Sequence, residues 1–141
     1  MIKDILLFLD DGKSNPDRVN VAIALAKRHG ANLTGVVLGS MKPFHAPGGD
    51  EKAVARMSER MADKTLEHFT QLAREAKIEV RTLVIYGDSV TSAEKMGHYA
   101  RNYDLVILRQ PNPSRDNFER MQEFARQVML LSGRPVYFMP Y

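Results

Sequence analysis

A chain of 141 residues, 44% hydrophobic, 26% charged and without cysteine, has the size of one globular domain and can bury about 68–70% of its unfolded surface with no disulfide or thiolate-bound zinc. Its 20 Lys and Arg against 17 Asp and Glu leave a formal charge of +3. The bases alternate with acids, as in Asp116 with Arg120 and Glu123 with Arg126, so no one-sided basic stripe marks a nucleic-acid surface.

Short β-branched runs alternate with longer segments of helical period, the rhythm of a parallel sheet. Lys3 to Leu9 reads as a central strand, its continuous apolar run from Ile5 to Leu9 fitting helices on both its faces. That run is far shorter than the ~20 residues that span a bilayer, and no cleavable leader pattern precedes it, so the cytoplasm is the expected compartment. Asp10, Asp11 and Gly12 break the strand. Asn15 before Pro16 reads as a helix N-cap with proline at the first helical position, and Val19, Ala22, Ile23 and Ala26 share one face until Gly30 stops the helix. Asn32 to Leu38 is the second strand.

Gly39 to Asp50, with Pro43, Pro47, Gly48 and Gly49, reads as an exposed loop. From Glu51 to Ala76 the apolar positions Val54, Met57, Met61, Leu66, Phe69 and Leu72 keep helical spacing. A third strand, Glu79 to Ile85, ends at Tyr86, Gly87 and Asp88. Val90, Ala93, Met96 and Ala100 mark a third helix, and Asp104 to Leu108 a fourth strand. Phe118 to Leu131 forms a fourth helix, and Arg134 to Met139 the last strand. With no repeat, low-complexity tract or composition shift, residues 1–141 form a single domain in this reading. Right-handed crossovers make a doubly wound five-stranded sheet the economical topology. Ligands of such sheets bind beyond the carboxyl ends of strands where the winding reverses, so the candidate crevice residues are Asp10, Asp11, Gly12, Gly39, Ser40, Arg109, Gln110 and Asn112.

The opening Ile5-Leu6-Leu7-Phe8-Leu9-Asp10, the turn His29-Gly30-Ala31-Asn32-Leu33, Gly87-Asp88 after the third strand, Tyr103-Asp104-Leu105-Val106-Ile107 and the closing Gly133-Arg134-Pro135-Val136 together resemble the universal stress protein family across nearly the whole chain. They also resemble the first half of its tandem members. The resemblance implies a Rossmann-like sheet of order 3-2-1-4-5, homodimers paired through the last strand and, in one branch, ATP at the switch point. In that branch an aspartate at the position of Asp10 contacts the nucleoside. The phosphates lie on a Gly-x2-Gly-x9-Gly-Ser/Thr stretch, whose bare N–H groups form an anion nest at a helix N-terminus.

This chain departs from that stretch. It reads Arg109-Gln110-Pro111-Asn112-Pro113-Ser114-Arg115, with no glycine between Asp104 and Leu131, and Gln122 and Glu123 stand where the final Gly-Ser pair would fall. Two prolines remove two donors and Glu123 adds negative charge near the ligand, so the reading assigns no cofactor and disfavours ATP. Arg109 and Arg115 offer guanidinium forks as a substitute grip. The plainer expectation leaves them solvated or paired with Asp116 or Glu119.

Other chemistry is thinner. Adjacent Asp10 and Asp11 are also a receiver-type Mg2+ pattern, but that needs a phosphoacceptor where Tyr86 and Gly87 stand and a lysine in the last strand. Asp88 is read as a cap or turn residue. His29, His45, His68 and His98 are scattered, with no pair at ligand spacing on one helix. His29 suits the last turn of its helix, and His45 lies beside Lys42 in the loop. Ser40 and Ser114 have neither a neighbouring base nor an elbow motif.

Met57, Met61, Met96, Met121 and Met129 read as gap-filling core residues, with Met57 and Met61 alternatively lining a partner groove. Val136, Tyr137, Phe138 and Met139 form an apolar edge that must be covered or used, in keeping with a homodimer. The resulting expectation is a stress-response regulatory or binding module rather than an enzyme. The rival readings are an ATP-binding stress protein or slow nucleotide hydrolase using Asp10 and Arg109, and a heteromer with another stress protein that carries the nucleotide.

Overall fold

The computed structural model describes residues 1–39 and 51–141. The elements are β1 (Asp4–Leu9), α1 (Asn15–His29), β2 (Asn32–Leu38), α2 (Glu51–Glu75), β3 (Val80–Ile85), α3 (Ser89–Ala100), β4 (Leu105–Arg109), α4 (Phe118–Ser132) and β5 (Val136–Met139). Their types and order are those read from the sequence. The loop expected over residues 40–50, with Ser40, Lys42 and His45, and the side chain of Val54 lie outside the described residues.

Small boundary shifts have local causes. Lys3 and Asp4 donate their backbone N–H groups to the Asp104 carboxylate at 2.8 and 3.0 Å; the paired register starts at Asp4, with the Lys3 carbonyl accepting from Asn32 N at 2.8 Å. Arg134 is likewise occupied, its guanidinium donating to the carbonyl of Arg101 at 3.0 and 2.7 Å. Ser14, not Asn15, precedes α1, and Asn15 is its first helical residue. The Asn15 side chain is drawn inward by other donors described below.

All strands run parallel in the order β3-β2-β1-β4-β5, a doubly wound sheet. Because side chains alternate across a strand, Ile5, Leu7 and Leu9 of β1 pack with Val19, Ala22, Ile23 and Ala26 of α1 and Ala62 and Phe69 of α2. Leu6 and Phe8 point to the other face, among Ala93, Met96 and Ala100 of α3 and Phe124, Ala125 and Val128 of α4. Each large apolar chain buried this way contributes about 1.5–3 kcal/mol. A slip of one residue would exchange the two faces, so the register is strongly set. Gly35, in the middle of β2, permits α2 to settle on the sheet: an added Cβ would lie 2.5 Å from Phe69 Cε1 and 2.7 Å from Leu9 Cδ1.

The methionines divide. Met96 is buried and Met121 half-buried, but Met57, Met61 and Met129 are 66%, 45% and 43% exposed. The reason is angular: the strip of α2 on the sheet is Ala62, Thr65, Phe69 and Ala73, and that of α4 is Phe124, Ala125, Val128 and Ser132, so these three methionines fall beside it. Val90, read as a core position, is also exposed. Among the described residues no helix is long and apolar enough to cross a membrane.

Candidate functional site

The winding reverses between β1 and β4, which are neighbours in the sheet, and both end in charged residues. The apolar run of β1 stops at Asp10, whose Oδ1 accepts the N–H of Gly12 at 2.9 Å and so closes the turn. At the start of the next helix, Asn15 turns its Oδ1 back to accept from Asp10 N at 3.1 Å and from Arg18 Nη2 at 3.0 Å. Arg18 is fully buried. Its Nε donates to the Phe8 carbonyl at 3.0 Å, its Nη2 lies 2.9 Å from Asp10 Oδ1, and its guanidinium carbon sits 5.9 Å from the centre of the Phe8 ring, within cation–π range.

Arg109, the last residue of β4, approaches from the other strand and places Nη1 3.2 Å from Asp10 Oδ2. Gly12 leaves room for this contact, since a Cβ there would lie 3.0 Å from Asp10 Oδ1 and 3.1 Å from Arg109 Nη1. Both oxygens of Asp10 are thus held by guanidinium groups, with its side chain 17% and that of Arg109 21% exposed.

The cluster carries two positive charges against one negative. Burial draws the Arg18 pKa below the ordinary guanidinium value, the Asp10 carboxylate opposes this by charge and hydrogen bond, and Arg109 adds to the lowering. Arg18 Nη1 and Arg109 Nε are buried without a hydrogen-bond partner among the described residues. A buried ion pair with donors left over is a poor source of net stability, but removing one partner is costly because it strands the other charge.

The expectation that Arg109 is solvated or paired with Asp116 or Glu119 is therefore corrected. Strand pairing brings it to Asp10 before the chain reaches either acid.

Gln110 and Asn112 do not join this cluster. Gln110 N donates to the Met139 carbonyl at 2.8 Å and prolongs the β4–β5 ladder. With Pro111, Pro113 and Phe138 it borders a hollow of about 580 Å3 against α4. Asn112 serves its own loop: its Oδ1 accepts from Ser114 N at 2.9 Å and from Ser114 Oγ at 2.6 Å, and its carbonyl accepts from Arg115 N at 3.1 Å. Phe118 N donates to Arg115 O at 3.0 Å.

Gln122 and Glu123 fall inside α4, beyond its first turn, rather than at its N-terminus. Glu123 there accepts two hydrogen bonds from Arg126, at 2.9 and 2.7 Å, and one from Gln127 at 2.9 Å. Led by the Arg126 bonds, these hold its carboxyl at about 2.

Asp11 and Gly39 belong to a second hollow, about 270 Å3, between the carboxyl ends of β1 and β2 and the inner side of α2. Gly39 N donates to the Ile85 carbonyl at 2.8 Å. Asp11 is exposed and has no ion-pair partner among the described residues. Asp88, at the end of β3, caps α3 by accepting from Thr91 N at 2.8 Å. Among the described residues no group of three or more His, Asp or Glu is placed to hold a metal ion.

Arg18 is the site residue that sequence reasoning missed. A signal was present: Arg18, Ala22 and Ala26 are spaced at four, so a charged residue sits on the apolar stripe of α1, a position that demands a buried partner.

No protein-family model and no curated protein sequence matches the chain. Its fold does match solved structures. A universal stress protein family member from Burkholderia pseudomallei is 17% identical, with 99% of this chain and 97% of that one covered at a TM-score of 0.75. Universal stress protein UspA from Lactobacillus plantarum is 18% identical, covering 98% and 97% at 0.73. A universal stress protein in complex with cAMP is 15% identical, covering 98% and 97% at 0.69. The chain has the Rossmann-like α/β fold of the universal stress protein structures.

Proposed function

We propose that this chain is a non-catalytic binding or regulatory module of the universal stress protein type, forming one domain and a homodimer, that does not grip ATP as the ATP-binding branch does. The observation that carries the reading is the pairing of Asp10 with both Arg18 and Arg109. A carboxylate so engaged is withdrawn from a nucleoside and is no free base for water. The β4–α4 loop supports the same conclusion. The N–H groups of Gln110, Ser114, Arg115 and Phe118 are spent within the protein, and Pro111 and Pro113 have none. A phosphate arriving there finds few of the main-chain donors that make an anion nest.

The cAMP held by one structural neighbour does not carry over without such donors or a free aspartate. Calorimetry with MgATP tests the reading. No heat of binding is expected at millimolar nucleotide, and a micromolar dissociation constant, about 8 kcal/mol, would refute it.

Dimerisation through β5 is supported by its edge position and by Tyr137 and Phe138, 46% and 36% exposed. An apolar, unpaired edge is a template for a second strand. Light scattering should report a dimer for the parent chain and a monomer for Tyr137→Lys; an unchanged mass would remove β5 from the interface.

A further inference from the structure

We propose that the outer edge of β3 takes up an extended segment of another protein, one that carries acidic side chains at alternate positions. The segment adds a sixth strand to the sheet, at the margin opposite β5 and away from the switch point between β1 and β4. β3 is paired on one side only, matching β2 at six consecutive positions from Val80 to Ile85. The Ile85 carbonyl faces β2, accepting from Gly39 N at 2.8 Å. Main-chain groups of successive residues alternate between the two sides of a parallel strand, so Thr82, Val84 and Tyr86 turn theirs outward. Lys95 Nζ reaches over from α3 to the Tyr86 carbonyl at 2.7 Å and closes the row at that end. The N–H and C=O groups of Thr82 and Val84 stay open, and among the described residues no strand covers them.

The two flanks of this edge differ in charge. On the α2 face a hollow of about 470 Å3 brings Thr82 against Asp63, Glu67 and Arg74. On the α3 face a hollow of about 540 Å3 is walled by Tyr86, Lys95, His98 and Tyr99, and among the described residues no acid lines it. Arg81 is exposed and lies on this second face, in step with Leu83, which packs against the α3 side of the sheet. An added strand sends its side chains alternately to the two faces. Those on the α3 face meet Arg81, Lys95 and His98, where a carboxylate gains charge-assisted hydrogen bonds. Those on the α2 face meet two acids and one base, which suits a neutral or basic residue. The same cations disfavour a second copy of this chain, since pairing β3 with β3 brings like charges together. Main-chain bonds then supply the affinity and the alternation supplies the choice of sequence, as in strand addition generally.

The test titrates the full chain with an end-blocked octapeptide of alternating threonine and glutamate, followed by amide shifts and hydrogen exchange. The dissociation constant should be about 1 mM or tighter. At about ten times that concentration the peptide should slow exchange of the Thr82 and Val84 N–H groups roughly tenfold. A peptide of the same composition in two blocks, and one of alternating threonine and lysine, should each bind at least about tenfold more weakly. Arg81→Glu, at an exposed position, should weaken the alternating peptide by about threefold or more.

Two further peptides, N-methylated at every threonine or at every glutamate, need no change in the protein. One should lose binding and the other keep it, because only one set of N–H groups faces β3. Loss or retention with both, equal binding of the block peptide, no binding of the alternating one, or indifference to Arg81→Glu would each overturn the proposal. So would slow exchange at Thr82 and Val84 in the chain alone, which would mean that a second copy already occupies the edge.

Discussion

Asp10 and Asp11 are neighbours in the chain and opposites in environment. On the β1/β4 side, Asp10 is enclosed by two guanidinium groups, the Gly12 N–H and the Asn15 turn. On the β1/β2 side, Asp11 stands in solvent at the mouth of an apolar hollow. The difference shows how a doubly wound sheet can close its switch point with its own side chains while leaving the adjacent strand ends open. Closure there depends on a charge balance rather than on apolar packing, so it should fail abruptly when one partner is removed.

The largest expected effect follows from that. Arg18→Ala leaves the Asp10 carboxylate partly buried and short of its main partner, and should cost about 3 kcal/mol, the lower end of the range for breaking a buried pair. For a chain of this size the thermal midpoint should fall by roughly 10 °C. A fall worth less than about 1 kcal/mol in urea unfolding would mean that the cluster is structurally idle.

The paired acids sharpen the contrast next. Asp10→Asn should destabilise by about 2 kcal/mol because Arg18 loses its counter-charge, whereas Asp11→Asn should stay within about 0.5 kcal/mol, as exposed substitutions do. Equal costs would erase the distinction between the two sides. Arg109, only partly buried, falls between, and Arg109→Ala should lower stability by about 1 kcal/mol.

The smallest effect is acid-linked and lies away from the site. Asp104, through the Lys3 and Asp4 N–H groups, and Glu123, through Arg126, are both held below the usual carboxylate range. A carboxyl whose folded value is depressed stabilises the fold above its unfolded value, and that contribution is lost as the pH falls through the folded one. For Glu123 the window runs from 4.5 down to about 2. Urea midpoints measured across that window should fall less steeply in Glu123→Gln than in the parent. An identical pH profile would show that the surface pair contributes nothing.

Much of the frame was legible before any coordinates. Continuous apolar runs marked β1 and β4, Gly30 and Asp88 marked helix ends, and the 3-2-1-4-5 order implied by the family resemblance is the order found. The site was legible in part. Asp10 and Arg109 were both put at the switch point because each follows or ends one of two adjacent strands, but their ion pair was not foreseen, Arg109 being expected in solvent or on Asp116 or Glu119. Gln110 and Asn112 were assigned to the same crevice from their position after β4, but the Pro111–Pro113 loop turns toward α4 and binds itself. Asn15 was read as a cap because its type and the following proline fit one, while its side chain answers instead to Asp10 and Arg18.

The chain order of polar and apolar residues determined by itself which segments become strands and helices, because periodicity is a local property. Only the tertiary structure decided which charges meet. Arg18 and Arg109 lie 91 positions apart, and their convergence on one carboxylate follows from strand neighbours that no local pattern encodes. The same holds for the freedom of Asp11: whether a charge is neutralised depends on what stands within about 4 Å of it in space.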